Sequence, residues 1–161
     1  MCRISSPYRS KNSVAQTLRL APFDARIPTF CGWANLWSGQ TQDALDCFNK
    51  SLGFGRLGPI YVAALGGAAV SFLQLGRDAD ALDLVEKGLK LSDSYSTYYM
   101  VKGAALAHLG QIVEAREIMA HYLAIEPDRN LKHWMATSNY GGSEGGKRYF
   151  EGLRLAELPE K

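Results

Sequence analysis

Small and large apolar side chains recur along this chain of 161 residues at the spacing of helices that pack in pairs. In three places an alanine is followed four residues later by a large apolar side chain: Ala44 and Phe48, Ala81 and Val85, and Ala115 and Met119. Residues four apart share one face of a helix, so each pair marks a helix with a buried face. Runs of alternating apolar and polar residues, which would indicate strands, are absent. The pattern predicts an all-α fold.

The pattern returns every 34 residues. Three matched pairs have this separation: Gly76 and Gly110, Ala81 and Ala115, and Leu89 and Leu123. A repeat of this length is typical of stacked two-helix units, in which a glycine ends the first helix of each unit. We therefore predict a solenoid of helical hairpins.

Three full repeats follow from these offsets, at residues 25–61, 62–95 and 96–129. The first repeat is three residues longer than the period, and the extra residues lie in the connection from Gly53 to Pro59. Each repeat should contribute its first helix to the inner face of the solenoid.

A half repeat is predicted before the first full one. Leu18, Leu20 and Pro22 lie one period ahead of the corresponding positions at the end of the first full repeat. Residues 13–24 should therefore supply an orphan N-terminal helix, the second helix of a hairpin, with an uncovered apolar face. Residues 1–12 are predicted to be a disordered or frayed segment.

The period is lost after Pro127, so residues 130–161 are predicted to be a linker and a C-terminal capping helix. Ser143–Leu158 has its large apolar residues on one face, and Pro159 should end the helix. Terminal units of a solenoid are atypical because they cover a face that would otherwise stay exposed.

Two resemblances extend this interpretation. The third repeat resembles the tetratricopeptide repeat in its sequence of aromatic, small, large and proline positions: Tyr99, Gly103, Leu106, Ala115, Met119 and Pro127. Residues 148–160 (RYFEGLRLAELPE) resemble the RYLEGLRKAGLPE ending of bacterial, rhizobial-type class III adenylate cyclases, and Leu18–Asp24 resembles the LRLSPxD that opens their repeats. This likeness implies a regulatory repeat region without the cyclase domain.

Composition excludes several classes of function. A net charge of +2 does not suggest a nucleic-acid partner, and no window approaches the ~18 apolar residues of a membrane span. The cysteines Cys2, Cys31 and Cys47 form no close pair and follow no secretory leader. We therefore expect free thiols and a cytoplasmic location.

No catalytic, cofactor-binding or metal-binding residues emerge from the motifs. The GxGxxG string at 53–58 runs into Pro59 instead of opening a helix after a strand, which favours a loop. Gly141–Lys147 resembles a phosphate-binding loop, but Arg148 follows where a serine or threonine is needed. His108, His121 and His133 lack metal-ligand spacing. We predict that the protein is not an enzyme, and keep a nucleotide site at Gly141–Lys147 as an alternative.

The inner face is the predicted binding surface. Its candidate residues form an apolar groove for a helix or an extended peptide: Trp33, Leu36, Trp37, Val70, Leu73 and Met100. Thr29 and Trp33 occupy the positions at which related repeats carry a carboxylate clamp, so a charged tail is disfavoured. Two roles remain open for Trp33 and Trp37, because an aromatic pair at this spacing can also belong to the core.

These observations predict a non-catalytic interaction or scaffolding module. Its partner would be another protein or peptide, including the chain's own N-terminal segment or a second copy. Self-association through the exposed half repeat is the alternative within this class.

Overall fold

The computed structural model of the protein describes residues 24–55 and 58–161, so the predicted segment 1–12 and the orphan helix lie outside the described residues. The described chain contains α-helices and one 3-10 turn and no strands, which confirms the all-α prediction. The helices are α1 (Arg26–Trp37), α2 (Thr41–Leu52), α3 (Pro59–Gln74), α4 (Asp78–Leu89), α5 (Ser96–His108), α6 (Ile112–Ile125), α7 (Leu131–Thr137) and α8 (Glu144–Leu155), with the 3-10 turn at Asn139–Gly142.

Consecutive helices form three hairpins, α1–α2, α3–α4 and α5–α6, and each hairpin packs on the next through α2–α3 and α4–α5. The same glycine turn ends each first helix, with φ of 74° at Gly39, 76° at Gly76 and 79° at Gly110. Left-handed backbone of this kind favours glycine, which has no Cβ to clash. Recurrence of one turn explains the period that the sequence shows.

Close approach between helices depends on small residues. The alanines of the predicted pairs, together with Phe48, Val85 and Met119, are fully or almost fully buried. A Cβ added at Gly32 would lie 2.5 Å from the Phe48 ring, and one at Gly103 would lie 2.6 Å from Met119. The packing selects glycine at Gly32, where a Cβ would meet the rigid Phe48 ring, whereas at Gly103 the contacting atom is the flexible end of Met119, which can move aside.

The C-terminal helix is present, and it lies on the inner side of the stack, against α5 and α3. Ser143 caps its start by accepting a hydrogen bond from the backbone nitrogen of Gly146 at 3.0 Å. Beyond α8 the chain returns to α7, where the nitrogen of Leu131 donates to the oxygen of Pro159 at 2.8 Å. The helix therefore covers the first helices of the second and third hairpins.

The end of α8 differs from the predicted boundary at Leu158. The helix ends at Leu155, and Glu157 has a left-handed φ of 62°. The nitrogen of Leu158 then donates to the oxygen of Leu153 at 3.0 Å, which closes a turn of the type that usually contains glycine. Formation of this turn ends the helix before Pro159 is reached.

We expect Glu157→Gly to stabilise the fold by about 1 kcal/mol, because a residue with a Cβ is strained in left-handed backbone. The ion pair from Arg116 to Glu157 is solvent-exposed, so its loss should offset little of this gain. Urea denaturation followed by circular dichroism would measure the change. The matched control is Glu151→Gly within α8, which should destabilise by about 1 kcal/mol. Equal effects of both substitutions would contradict the prediction.

Candidate functional site

Helix α8 occupies the inner face over α3 and α5. Its side chains Tyr149, Phe150 and Leu153 are buried in the common core. Gly152 makes the closest approach, because a Cβ there would lie 2.8 Å from Cβ of Ala104 and from Nε2 of His108. No external helix can bind this part of the face while α8 is in place.

One ion pair anchors α8 to the repeats. The guanidinium of Arg148 donates to both carboxylate oxygens of Asp78, at 2.8 and 2.7 Å, and to the backbone oxygen of Leu73 at 2.7 Å. Asp78 is almost buried at the start of α4, and Leu73 lies in the last turn of α3. Nε2 of His108 also hydrogen bonds to the backbone oxygen of Arg148 at 2.9 Å. Arg148 therefore links the second hairpin to the C-terminal helix.

Beside α8 an apolar cavity of about 410 Å³ stays open to the surface. One wall comes from the repeats and consists of Phe30, Trp33, Trp37, Val70, Tyr95, Thr97 and Met100. The other wall comes from the C-terminal segment and consists of Trp134, Thr137, Ser138, Tyr140 and Tyr149. Aromatic rings dominate both walls, and no charged side chain of the described chain lines them. We call this cavity the aromatic pocket.

The structure places the six candidate residues in two environments. Trp33, Trp37, Val70 and Met100 line the aromatic pocket. Leu36 and Leu73 do not line it and are completely buried in the core, so their assignment to the binding surface is corrected, whereas Val70 and Met100 are almost as buried but reach the pocket wall. For Leu36 the reason is rotation along the helix, because it directly precedes Trp37 and neighbouring residues in a helix point about 100° apart.

The two tryptophans of α1 also differ from each other. Trp33 is half-buried and packs edge-on against Phe48, with ring centroids 5.5 Å apart. Trp37 is 49% exposed, and its ring centroid lies 6.4 Å from that of Trp33. Trp33 thus belongs partly to the core, whereas Trp37 presents a large apolar surface to solvent at the pocket.

Sequence reasoning missed the second wall of the pocket. Trp134 and Tyr140 lie in the segment predicted to be a linker, so neither was considered as a pocket residue from the sequence. The indole nitrogen of Trp134 donates to the hydroxyl oxygen of Tyr122 at 2.9 Å, which fixes the segment on α6. Burial raises the pKa of Tyr140, and a hydrogen bond from Trp37 opposes only part of that rise. The presence of Trp134 and Tyr140 in a supposed linker was the sequence feature that could have indicated a packed segment.

The segment Gly141–Lys147 does not form a phosphate-binding loop. It spans the end of the 3-10 turn and the first turn of α8, where the Ser143 side chain already accepts the Gly146 backbone nitrogen. Gly145 packs on Gln74, and Gly146 packs on the backbone of Tyr140, so close contact explains why both are glycine. This geometry differs from that of a phosphate-binding loop.

Metal ligands, membrane-spanning helices and thiols can be assessed in the described ranges. Residues 24–55 and 58–161 contain no cluster of three or more His, Cys, Asp or Glu side chains that could hold a metal ion. The same ranges contain no helix that is long and apolar enough to span a membrane. Cys31 and Cys47 are free thiols, and burial raises the pKa of both.

Comparison with known proteins identifies the fold. No protein-family model matches the chain, and no curated protein matches its sequence. Three similar solved structures share its shape. MamA has a TM-score of 0.66 at 15% identity, over 98% of this chain and 96% of its own.

The other two similar structures are of proteins that bind peptides. The first tetratricopeptide domain of Spaghetti (RPAP3), bound to the HSP90 peptide SRMEEVD, has a TM-score of 0.59 at 22% identity, over 81% of this chain and 95% of its own. YrrB, a tetratricopeptide protein with an unusual peptide-binding site, has a TM-score of 0.58 at 19% identity, over 92% of this chain and 78% of its own. At these identities the likeness concerns the fold, and the fold is a tetratricopeptide-repeat solenoid.

Proposed function

We propose that the protein is a non-catalytic peptide-binding module and that the aromatic pocket holds the anchor residues of its partner. The half-exposed Trp37, beside a cavity in the size range of ligand sites, is the observation that carries this proposal. Exposed aromatic surface beside a concave site is typical of interaction surfaces. The peptide in the Spaghetti structure and the peptide-binding site named for YrrB support the same class of function.

The shape of the pocket limits the ligand. Because α8 covers α3 and α5, the open space accommodates a few side chains and cannot hold a long helix across the whole inner face. An ionised ligand group would lose water without gaining a charged partner among residues 24–55 and 58–161, since no charged side chain of these ranges lines the pocket. We therefore infer a peptide with aromatic or branched apolar anchors, in place of the extended helix groove that the sequence suggested.

We further propose that this module is related to the repeat region of the rhizobial-type cyclases and works in the cytoplasm. In residues 148–160, the positions identical to the cyclase ending include Arg148, Tyr149, Gly152 and Leu153, which pack α8 on the repeats. The cyclase ending has glycine at Glu157, where the backbone here is left-handed. The free thiols Cys31 and Cys47 suit a reducing compartment.

The surface role of Trp37 predicts its effect on stability. Trp37→Ala should lower the free energy of unfolding by about 1–2 kcal/mol, because half of the side chain is already in water while its hydrogen bond to Tyr140 is lost. Leu36→Ala is the matched control on the same helix and should destabilise by about 2–5 kcal/mol through cavity formation. Thermal and urea denaturation would measure both. A large loss for Trp37→Ala would identify that residue as core and remove it from the site.

Peptide binding can be measured by intrinsic tryptophan fluorescence, because all three tryptophans of the chain line the pocket: Trp33, Trp37 and Trp134. Peptides selected on the immobilised protein from a random display library should shift the intrinsic tryptophan emission on titration. Trp37→Ala should weaken their binding about tenfold or more, since buried aromatic anchors contribute about 2 kcal/mol or more. Val113→Ala, an exposed substitution on α6, should leave binding unchanged.

Peptides that bind wild type and Trp37→Ala equally, or that bind without changing the emission, would contradict a role for the aromatic pocket. A peptide-binding surface elsewhere on the chain would produce that result.

Exposed residues on one face of α1 support a second candidate function, self-association. Phe30 is 66% exposed and Ala34 is also exposed, whereas the equivalent positions in α3 and α5 are buried. Those equivalents are Gly67 and Ser71 in α3, and Val101 and Ala105 in α5. In the later hairpins the preceding α2 and α4 cover this face. The corresponding face of α1 is exposed in the described structure, and we propose its pairing with another copy of the chain as the alternative function.

If this face pairs, sedimentation velocity across a concentration series should show a dimer. Phe30→Asp should abolish the dimer, because burying a charge at an apolar interface is strongly unfavourable. Val113→Asp places the same charge on a residue that is 69% exposed on α6 and should leave the dimer intact. A protein that stays monomeric at all concentrations, or a dimer insensitive to Phe30→Asp, would exclude this face.

A further inference from the structure

Helix α8 lies on the inner face as a bound helix would. We propose that α8 is an intramolecular ligand of this face, and that the surface on α3 and α5 beneath it binds an amphipathic helix of another polypeptide carrying the side-chain pattern of α8. This inference rests on the proposed peptide-binding role of the inner face. It concerns the part of that face beneath α8, which adjoins the aromatic pocket and shares Tyr149 with it.

The contacts of α8 resemble those of a docked peptide helix. One side is apolar and buried, with Tyr149, Phe150 and Leu153 against the repeats, while its other side is charged and exposed. A single charged anchor, Arg148, fixes the register by donating two hydrogen bonds to Asp78. Apolar anchors at helical spacing combined with one directional charge contact are the features that grooves use to bind helices.

The repeats share one core cluster with Tyr149, Phe150 and Leu153 of α8, and they also have contacts of their own. Their small-large pairs are buried between α1 and α6, and the hairpins pack on one another directly. The chain enters α8 from the 3-10 turn and Ser143 and returns to α7 after it. Helices of a native protein can open at a free energy below that of global unfolding.

The fit of α8 also contains an uncompensated polar group. The side-chain nitrogen of Gln74 is buried and has no hydrogen-bond partner within the described structure. Gln74 lies directly beneath Gly145 at the start of α8. A buried donor without a partner disfavours the closed state, and water could reach this nitrogen once α8 moved away.

The surface specifies the chemistry of an external helix. Asp78 accepts from both terminal nitrogens of an arginine, a geometry that a lysine cannot reproduce. Ala104 and His108 leave room for glycine alone at the closest approach. The matching helix therefore has arginine, then two aromatic residues, with glycine and leucine four and five positions after the arginine, as at Arg148, Tyr149, Phe150, Gly152 and Leu153.

Hydrogen exchange on the wild-type protein tests whether α8 detaches. The amides of α8 should exchange at least about tenfold faster than those of α5, because α8 opens without global unfolding. Arg148→Ala should accelerate exchange in α8 further and leave α3 and α5 unchanged. Lys147→Ala is the matched control, since Lys147 is exposed and pairs only with Glu144 within the helix. Equal exchange of α8 and α5 in the wild type would overturn the proposal without requiring any variant.

A fluorescein-labelled peptide of residues 143–160 tests binding in trans by anisotropy. It should bind the Arg148→Ala protein at least about tenfold more tightly than wild type, because the internal helix competes less well while Asp78 remains. The same peptide with Arg148→Ala should lose this binding, as should a protein carrying both Arg148→Ala and Asp78→Asn. Equal affinity for wild type and Arg148→Ala would overturn the proposal. Neither experiment depends on Trp37, so a lack of peptide binding at the aromatic pocket can be distinguished from a lack of helix binding beneath α8.

Discussion

The contact between Arg148 and Asp78 is the constraint on which the arrangement of the binding face depends. It joins residues that are 70 positions apart and sets α8 across α3 and α5. With α8 fixed there, the preceding segment turns Trp134 and Tyr140 toward α1 and closes the second wall of the aromatic pocket. The guanidinium also complements the carbonyl end of α3 through Leu73. One side chain therefore couples the solenoid, its C-terminal helix and the candidate site.

Small residues make this arrangement possible. Gly32 and Gly67 both lie against the ring of Phe48, which lets α1, α2 and α3 meet around one aromatic side chain. Gly152 allows α8 the same close approach to α5. Tight packing gains dispersion contacts that a looser stack would lose, and it leaves few positions free to vary. Among the glycines that suggest nucleotide motifs in the sequence, Gly145 and Gly146 are explained by packing and Gly55 and Gly58 by left-handed turns.

The inner face consequently has two regions with different properties. The region over α3 and α5 is covered by a helix of the same chain, which shows the chemistry that this surface accepts. The region beside α1 remains open, is lined by aromatic rings and exposes Trp37. A repeat protein with a partly filled groove presents a compact pocket to its partner, so recognition there would depend on a few anchor side chains. This arrangement favours short apolar motifs over long charged tails.

The sequence by itself determined the hairpins, because a period of 34 residues, glycine turns and small-large pairs are local features that act within neighbouring helices. It also placed Trp33, Trp37, Val70 and Met100 on the inner side through helical spacing, and all four line the aromatic pocket. Tertiary structure alone decided that Leu36 and Leu73 are buried and that α8 lies within the inner face. These outcomes depend on contacts between residues far apart in the chain, such as Arg148 and Asp78, and no periodic pattern encodes such a pairing.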